Sequence, residues 1–175
     1  MDIAELLSDA LGRVRDDLPH VVGGLDLDQL AWRPDEGSNS IAWLVWHLTR
    51  VADDHIAEVA GSEQVWTAAG WYDRFALPFP PEVHGWGQSA DEVAQVRVEG
   101  DLLVGYHDAT AARAIEYVGG LTADDLDRIV DERWDPPVTL GVRLISVVND
   151  ATQHLGQAAY LRGLIDRGHA SGPGG

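Results

Sequence analysis

Four long stretches of this chain carry apolar residues at the 3.6-residue period, and none of any length carries the two-residue alternation of a strand. That restricts the fold to helices packed on helices. In the first stretch Ile3, Leu6, Leu7, Ala10, Leu11, Val14 and Leu18 share one face, and Asp2 with Glu5 makes a capping-box start. Pro19 or Gly23-Gly24 ends or bends it. The second stretch begins near Ser38-Asn39-Ser40, which supplies N-cap side chains, and runs to about Ala60, where Gly61 stops it. The third opens on the capping box Ser89 to Glu92 and extends to about Val118. The fourth follows Thr139, from about Leu140 to Ile165. Short turns at Leu25 to Leu30 and Leu121 to Leu126 precede the second and fourth. The expected architecture is all-α: an up-down four-helix bundle in one domain over residues 1–167, with a disordered Gly-rich tail at 168–175.

Residues 61–88 break the helical pattern. Trp66, Trp71, Tyr72, Phe75, Phe79 and Trp86 crowd there, and Pro78, Pro80 and Pro81 preclude a regular helix. The segment is long for a connection in a compact domain, so it reads as a packed, aromatic-rich loop, suited to a lid, between the second and third long helices.

Composition removes whole classes of function. The chain has no cysteine, which excludes disulfides, thiolate metal sites and a cysteine nucleophile. Its formal charge of −17 excludes a phosphate-backbone partner and disfavours an anionic membrane surface. No apolar run approaches the ~18 residues of a membrane span. The first residues show neither a basic nor an apolar signal region, so the expected location is cytoplasmic.

The fourth stretch carries the chemistry. Beside its apolar stripe (Leu144, Val147, Val148, Ala151, Leu155, Ala158) runs a second one: Ser146, Asn149, Asp150, Gln153, His154 and Gln157. The simpler account is a solvent face. Solvent faces, however, are usually rich in Glu, Lys and Arg, whereas this stripe holds neutral polar groups, one carboxylate and one imidazole. Asp150 and His154, four residues apart, lie on one face and suit a shared divalent metal. His47 sits in the most apolar part of the second stretch. Alone it would be a core histidine satisfied by a backbone carbonyl. With a carboxylate and an imidazole on another inward-facing helix, it completes a ligand set of the kind bundles build from facing helices. Two imidazoles and one carboxylate leave positions open, as in a catalytic site.

Other residues carry weaker expectations. His55, two turns past His47, can line the same cleft, and Arg50 can clamp an anionic substrate. Arg143 precedes the polar stripe; His84 and His107 lie in the loop and in the third helix; His20 and His169 read as surface groups.

The run Gly24-Leu25-Asp-Leu-Asp-Gln-Leu30-Ala-Trp32-Arg33-Pro34, with Ser40-Ile41-Ala-Trp-Leu-Val-Trp-His47-Leu48, resembles the first signature of the DinB-like superfamily. Asn149-Asp150-Ala-Thr-Gln-His154-Leu-Gly156-Gln157 resembles the second. The resemblance implies a four-helix bundle, often a homodimer, holding a divalent metal, commonly zinc or nickel, on His47, Asp150 and His154. Many members carry His where this chain has Asp150, and the maleylpyruvate isomerase type carries Glu; Asp keeps the charge on a side chain one methylene shorter.

Similar bacterial members use low-molecular-weight thiols, mycothiol in actinobacteria and bacillithiol in some firmicutes. Arg without Lys, with abundant Ala, Gly, Val and Asp, points to a high-GC genome such as an actinobacterium. The resemblance therefore implies a mycothiol-dependent S-transferase acting on an electrophilic small molecule, as in detoxification, or a related isomerase. A metal-dependent hydrolase and a non-catalytic, ligand-binding stress-response bundle are the alternatives. Gln153 and Gln157 are then expected to orient ligands or the thiol's sugar groups, and Trp71, Phe79 and Trp86 to wall the electrophile.

Overall fold

The computed structural model of the protein describes residues 1–170. Residues 171–175 of the expected disordered tail lie outside the described residues.

Four long helices form the bundle: α1 (Ile3–Val22), α3 (Ile41–Ala60), α7 (Gly100–Gly119) and α8 (Leu140–Asp166). Between them lie the short helices α2 (Leu27–Ala31), α4 (Val65–Ala68), α5 (Trp71–Phe75) and α6 (Ala90–Ala94). α1 and α3 each pack against both α7 and α8. α1 starts on the reciprocal capping box of Asp2 and Glu5. The hydroxyls of Ser40 and Thr139 cap α3 and α8 by accepting from the amides of Trp43 and Val142. Gly61, with φ 64°, closes α3 in the left-handed conformation that glycine adopts without strain.

Contacts fix the helix directions. His47 meets His154 and His55 meets Arg143, so α3 and α8 run antiparallel. Thr49 meets His107 and Val59 meets Tyr117, so α3 and α7 run parallel. Arg15 pairs with Asp108 and Val22 lies beside Gly100, so α1 runs antiparallel to α7 and the chain goes up, down, down and up. The long segment after α3 returns the length of the bundle before α7 begins, which accounts for its length.

Two boundaries differ from the sequence reading. The capping box at Ser89 starts only the five-residue α6, and the third long helix begins at Gly100. Between them Val96 and Val98 are buried on either side of exposed Arg97, the alternation of an extended segment. Arg97 is paired with Asp28 at 2.5 Å. Gly100 lies so close to α1 that a Cβ there would sit 2.9 Å from Val22 Cγ1. The second difference is a two-stranded antiparallel ribbon, β1 (Ile129–Asp131) with β2 (Val138–Thr139), ahead of α8. It is too short to leave a period in the sequence.

Arg50, fully buried, ties the segment after α3 to the bundle. Its guanidinium donates to the carbonyls of Pro81 and Val83 and to the Gln64 side chain, at 2.9, 3.2 and 2.6 Å. Asp53, one turn on, accepts from the amides of Val65 and Trp66 and from the Tyr106 hydroxyl at 2.7 to 2.8 Å. A carboxylate on α3 thus satisfies the free amides at the start of α4. Phe75 packs edge-on against Trp66 and Tyr106, whose own rings are tilted on each other, so the aromatic-rich segment is a packed extension of the core.

His107 is a further buried polar group, its Nδ1 3.1 Å from the Thr49 hydroxyl. That hydroxyl donates to the Val45 carbonyl. Burial lowers the His107 imidazole from 6.5 to about 4. The unfolded chain then binds a proton that the native chain refuses between these values, so stability is full above pH 6.5 and lost as pH falls toward 4. The loss attributable to this residue is about 3 kcal/mol. Denaturant titrations at pH 7 and 4.5 of the wild type and His107→Gln check it: the variant should lose much less stability on acidification.

Candidate metal centre

His47 occupies the second turn of α3, and Asp150 and His154 face it from the middle of α8. Each of the three offers one donor atom, and these atoms lie within 4.8 Å of one another. The imidazole rings of His47 and His154 stand 4.9 Å apart, steeply inclined.

Neighbouring groups fix each ring. His47 Nδ1 hydrogen-bonds the His84 carbonyl, which leaves Nε2 as its lone-pair nitrogen. The Trp43 indole stacks on the same ring, 4.5 Å between centroids, and its Nε1 donates to Gln88 at 2.7 Å. His154 Nδ1 lies 3.3 Å from Gln157 Oε1, and its Nε2 lies 3.4 Å from Asp150 Oδ1. Burial lowers the His47 pKa, whereas the hydrogen bond to Asp150 raises that of His154.

The second oxygen of Asp150, Oδ2, is buried and has no hydrogen-bond partner among the described residues. A buried, unsatisfied carboxylate oxygen is costly unless it has an electropositive partner. Two imidazoles beside it, each oriented by an outer hydrogen bond, complete the donor set of a divalent cation such as zinc, which takes the place of the His154 Nε2 proton. The residues therefore fit the metal, and Asp150, though shorter than Glu, reaches the two imidazoles.

The three donors line one wall of a cleft of about 550 Å³. Val51, His55, Arg143 and Ser146 extend it along the α3–α8 seam, and Trp86 and Trp134 flank its mouth. Both indoles are strongly exposed, 86% and 66%. Arg143, at the far end, donates to Asp131 at 3.1 Å and lies 3.1 Å from His55 Nδ1.

Of the other residues expected at the site, His55 and Trp86 line this cleft. Arg50 and Trp71 do not: Arg50 is committed to the strut described above, and Trp71 packs its ring against Gly105 and beneath the Arg74 guanidinium. Phe79 packs against Trp46. Gln153 and Gln157 line a separate groove on the other side of His154. Sequence reasoning missed the roles of Trp134 and Gly85. Trp134 reaches the cleft only through the β1–β2 turn, which has no helical period to reveal it. Gly85 has φ 98°, and a Cβ there would lie 2.7 Å from His47 Nδ1 and 3.1 Å from the Trp43 and Trp46 rings.

That crowding makes Gly85 a positioning residue. Gly85→Ala should push the His84 carbonyl off His47 and weaken any divalent-cation binding at the three donors by about 10- to 100-fold, the usual effect of losing an outer-shell partner. Zinc titration against a competing chelator measures this, and circular dichroism should show the helix content unchanged.

A four-helix bundle in this order, with one imidazole on its second long helix and a carboxylate and imidazole one turn apart on its last, is a DinB-like protein. Within that class, the family model of mycothiol-S-transferase matches residues 6–167, and the chain belongs to that family. The crystal structure of a conserved protein from Enterococcus faecalis is similar at TM-score 0.89 and 32% identity, covering 95% of this chain and 99% of that one. No protein of curated function matches the chain. Among the described residues no helix is long and apolar enough to cross a membrane.

Proposed function

We propose that this protein is a divalent-metal-dependent thiol transferase that joins a low-molecular-weight thiol, mycothiol, to an electrophilic small molecule, as a cytoplasmic homodimer loaded with zinc. The observation that carries the reading is the unsatisfied Asp150 Oδ2 beside two oriented imidazoles in a chain with no cysteine. Membership of the mycothiol-S-transferase family supports it. A divalent cation held by His47, Asp150 and His154 would supply a positive centre that favours the thiolate of a thiol ordinarily protonated at neutral pH, with a pKa of about 8.5.

The chain's own groups do the rest. His47, Asp150 and His154 place the sulfur at the base of the cleft, and Trp43 shields one face of His47. The exposed indoles of Trp86 and Trp134 hold the apolar electrophile over it. The sulfur forms a bond to the electrophilic carbon as the leaving group departs with its electron pair, and the thiol proton passes to water.

The test couples metal quantification to thiol consumption with mycothiol and a halogenated aromatic. The expected result is about one divalent metal per chain and turnover that requires both the metal and the thiol. Turnover without thiol would make the protein a hydrolase and end this reading.

A further inference from the structure

On the side of His154 opposite the apolar cleft, α8 and the segment leading into α3 enclose an open groove of about 650 Å³. Ser38, Asn39, Gln153, Gln157 and Tyr160 supply its polar groups, with Leu44 on its floor. Among the described residues no carboxylate, guanidinium or imidazole side chain lines it. In a chain with 29 acidic and 12 basic residues, a groove of this size without charge is a distinct chemical surface. The Tyr160 ring stands 67% exposed along one side, an apolar face framed by amides and hydroxyls.

We propose that this groove binds the uncharged, hydroxylated body of the thiol cosubstrate and sets selectivity against anionic thiols. The inference rests on the thiol-transferase reading and adds to it the place and chemistry of the thiol's non-reacting part. Serine, asparagine and glutamine side chains both donate and accept, which matches hydroxyl groups that do the same. An exposed aromatic face suits the C–H face of a sugar ring. A carboxylate or phosphate would find no cation here and would lose hydration without compensation. The overall charge of −17 adds long-range repulsion of the same sign.

The groove meets the metal centre through one side chain. Gln157 lines it and lies 3.3 Å from His154 Nδ1. A thiol whose body fills the groove thus lies one side chain, that of His154, away from the three donors. The apolar cleft on the other side stays free for the electrophile, so the two reactants approach from opposite sides of His154.

Calorimetric binding of S-methylated mycothiol, which carries the body but no free thiol, isolates the groove from the sulfur chemistry. Tyr160→Ala and Gln153→Ala are each expected to raise its Kd by about tenfold, as lost ligand contacts do. In steady-state assays they should raise KM for mycothiol and leave kcat near the wild-type value. Gln153→Arg and Asn39→Arg place a cation in the groove and should improve binding of glutathione, which the wild type should bind poorly.

An unchanged Kd for S-methylated mycothiol in both alanine variants overturns the proposal, as does wild-type binding of glutathione equal to that of mycothiol. Wild-type turnover of 2-mercaptoethanol, too small to occupy the groove, is measured alongside. If 2-mercaptoethanol is consumed and the groove variants bind normally, the groove assignment fails and the transferase reading stands. If no thiol is consumed but the variants lose S-methylated mycothiol, the groove assignment stands and the transferase reading fails.

Discussion

His154→Ala is expected to abolish stoichiometric metal binding and thiol turnover while leaving the bundle folded. The side chain lies in the cleft wall and is only partly buried, so its removal opens no core cavity. Two donors remain, and the affinity should fall by more than the roughly 10- to 100-fold of an outer-shell change.

Thermal unfolding gives a readout independent of activity. A metal held by the native state at 1,000 times its Kd stabilises by about 4 kcal/mol. For a chain of this size that corresponds to a Tm rise of roughly 10 °C. The wild type should show this rise with zinc, and His154→Ala should show none. A different outcome separates the simpler account. If Asp150 and His154 are only a helical i, i+4 pair, exchange for alanine costs about 0.5 kcal/mol and zinc shifts neither protein.

The spacing of Asp150 and His154 and the apolar setting of His47 were readable because a helix converts sequence spacing directly into a shared face. The same rule placed four long helices. It failed where position depends on a partner remote in sequence. The capping box at Ser89 is a valid helix start, yet Val96 and Val98 do more for the core in extended backbone than in a continued helix. By spacing alone Arg50, one turn past His47, can serve as a substrate clamp. It lies instead on the buried stripe Trp46, Arg50, Asp53 and Ala57, a signal available in the spacing but obscured by the polarity of two of its members. Gln153 and Gln157 neighbour His154 in the sequence, but the separate groove they line is a property of the packed helix pair and leaves no local trace.

The buried pair on that stripe gives the largest expected change in stability. Asp53→Ala should lower stability by about 3–5 kcal/mol, because it strands the buried Arg50 guanidinium, 3.9 Å from the carboxylate, without a counter-charge. It also leaves the amides of Val65 and Trp66 and the Tyr106 hydroxyl without their acceptor. Against a total of about 5–15 kcal/mol for a typical domain, this is a Tm loss of roughly 10 °C or more.

Asp53→Asn keeps an acceptor for part of the set and should fall between the two. The double variant Arg50→Met with Asp53→Asn should be more stable than the sum of the single losses, since it removes both charges together. The consequence for the site follows the chain. Arg50 holds the carbonyls of Pro81 and Val83, and the next residue, His84, supplies the carbonyl that orients His47. A folded Asp53→Asn protein should therefore bind zinc more weakly, although the substitution touches none of the three donors. If its zinc affinity equals that of the wild type while its Tm falls, the strut stabilises the bundle without positioning the metal centre.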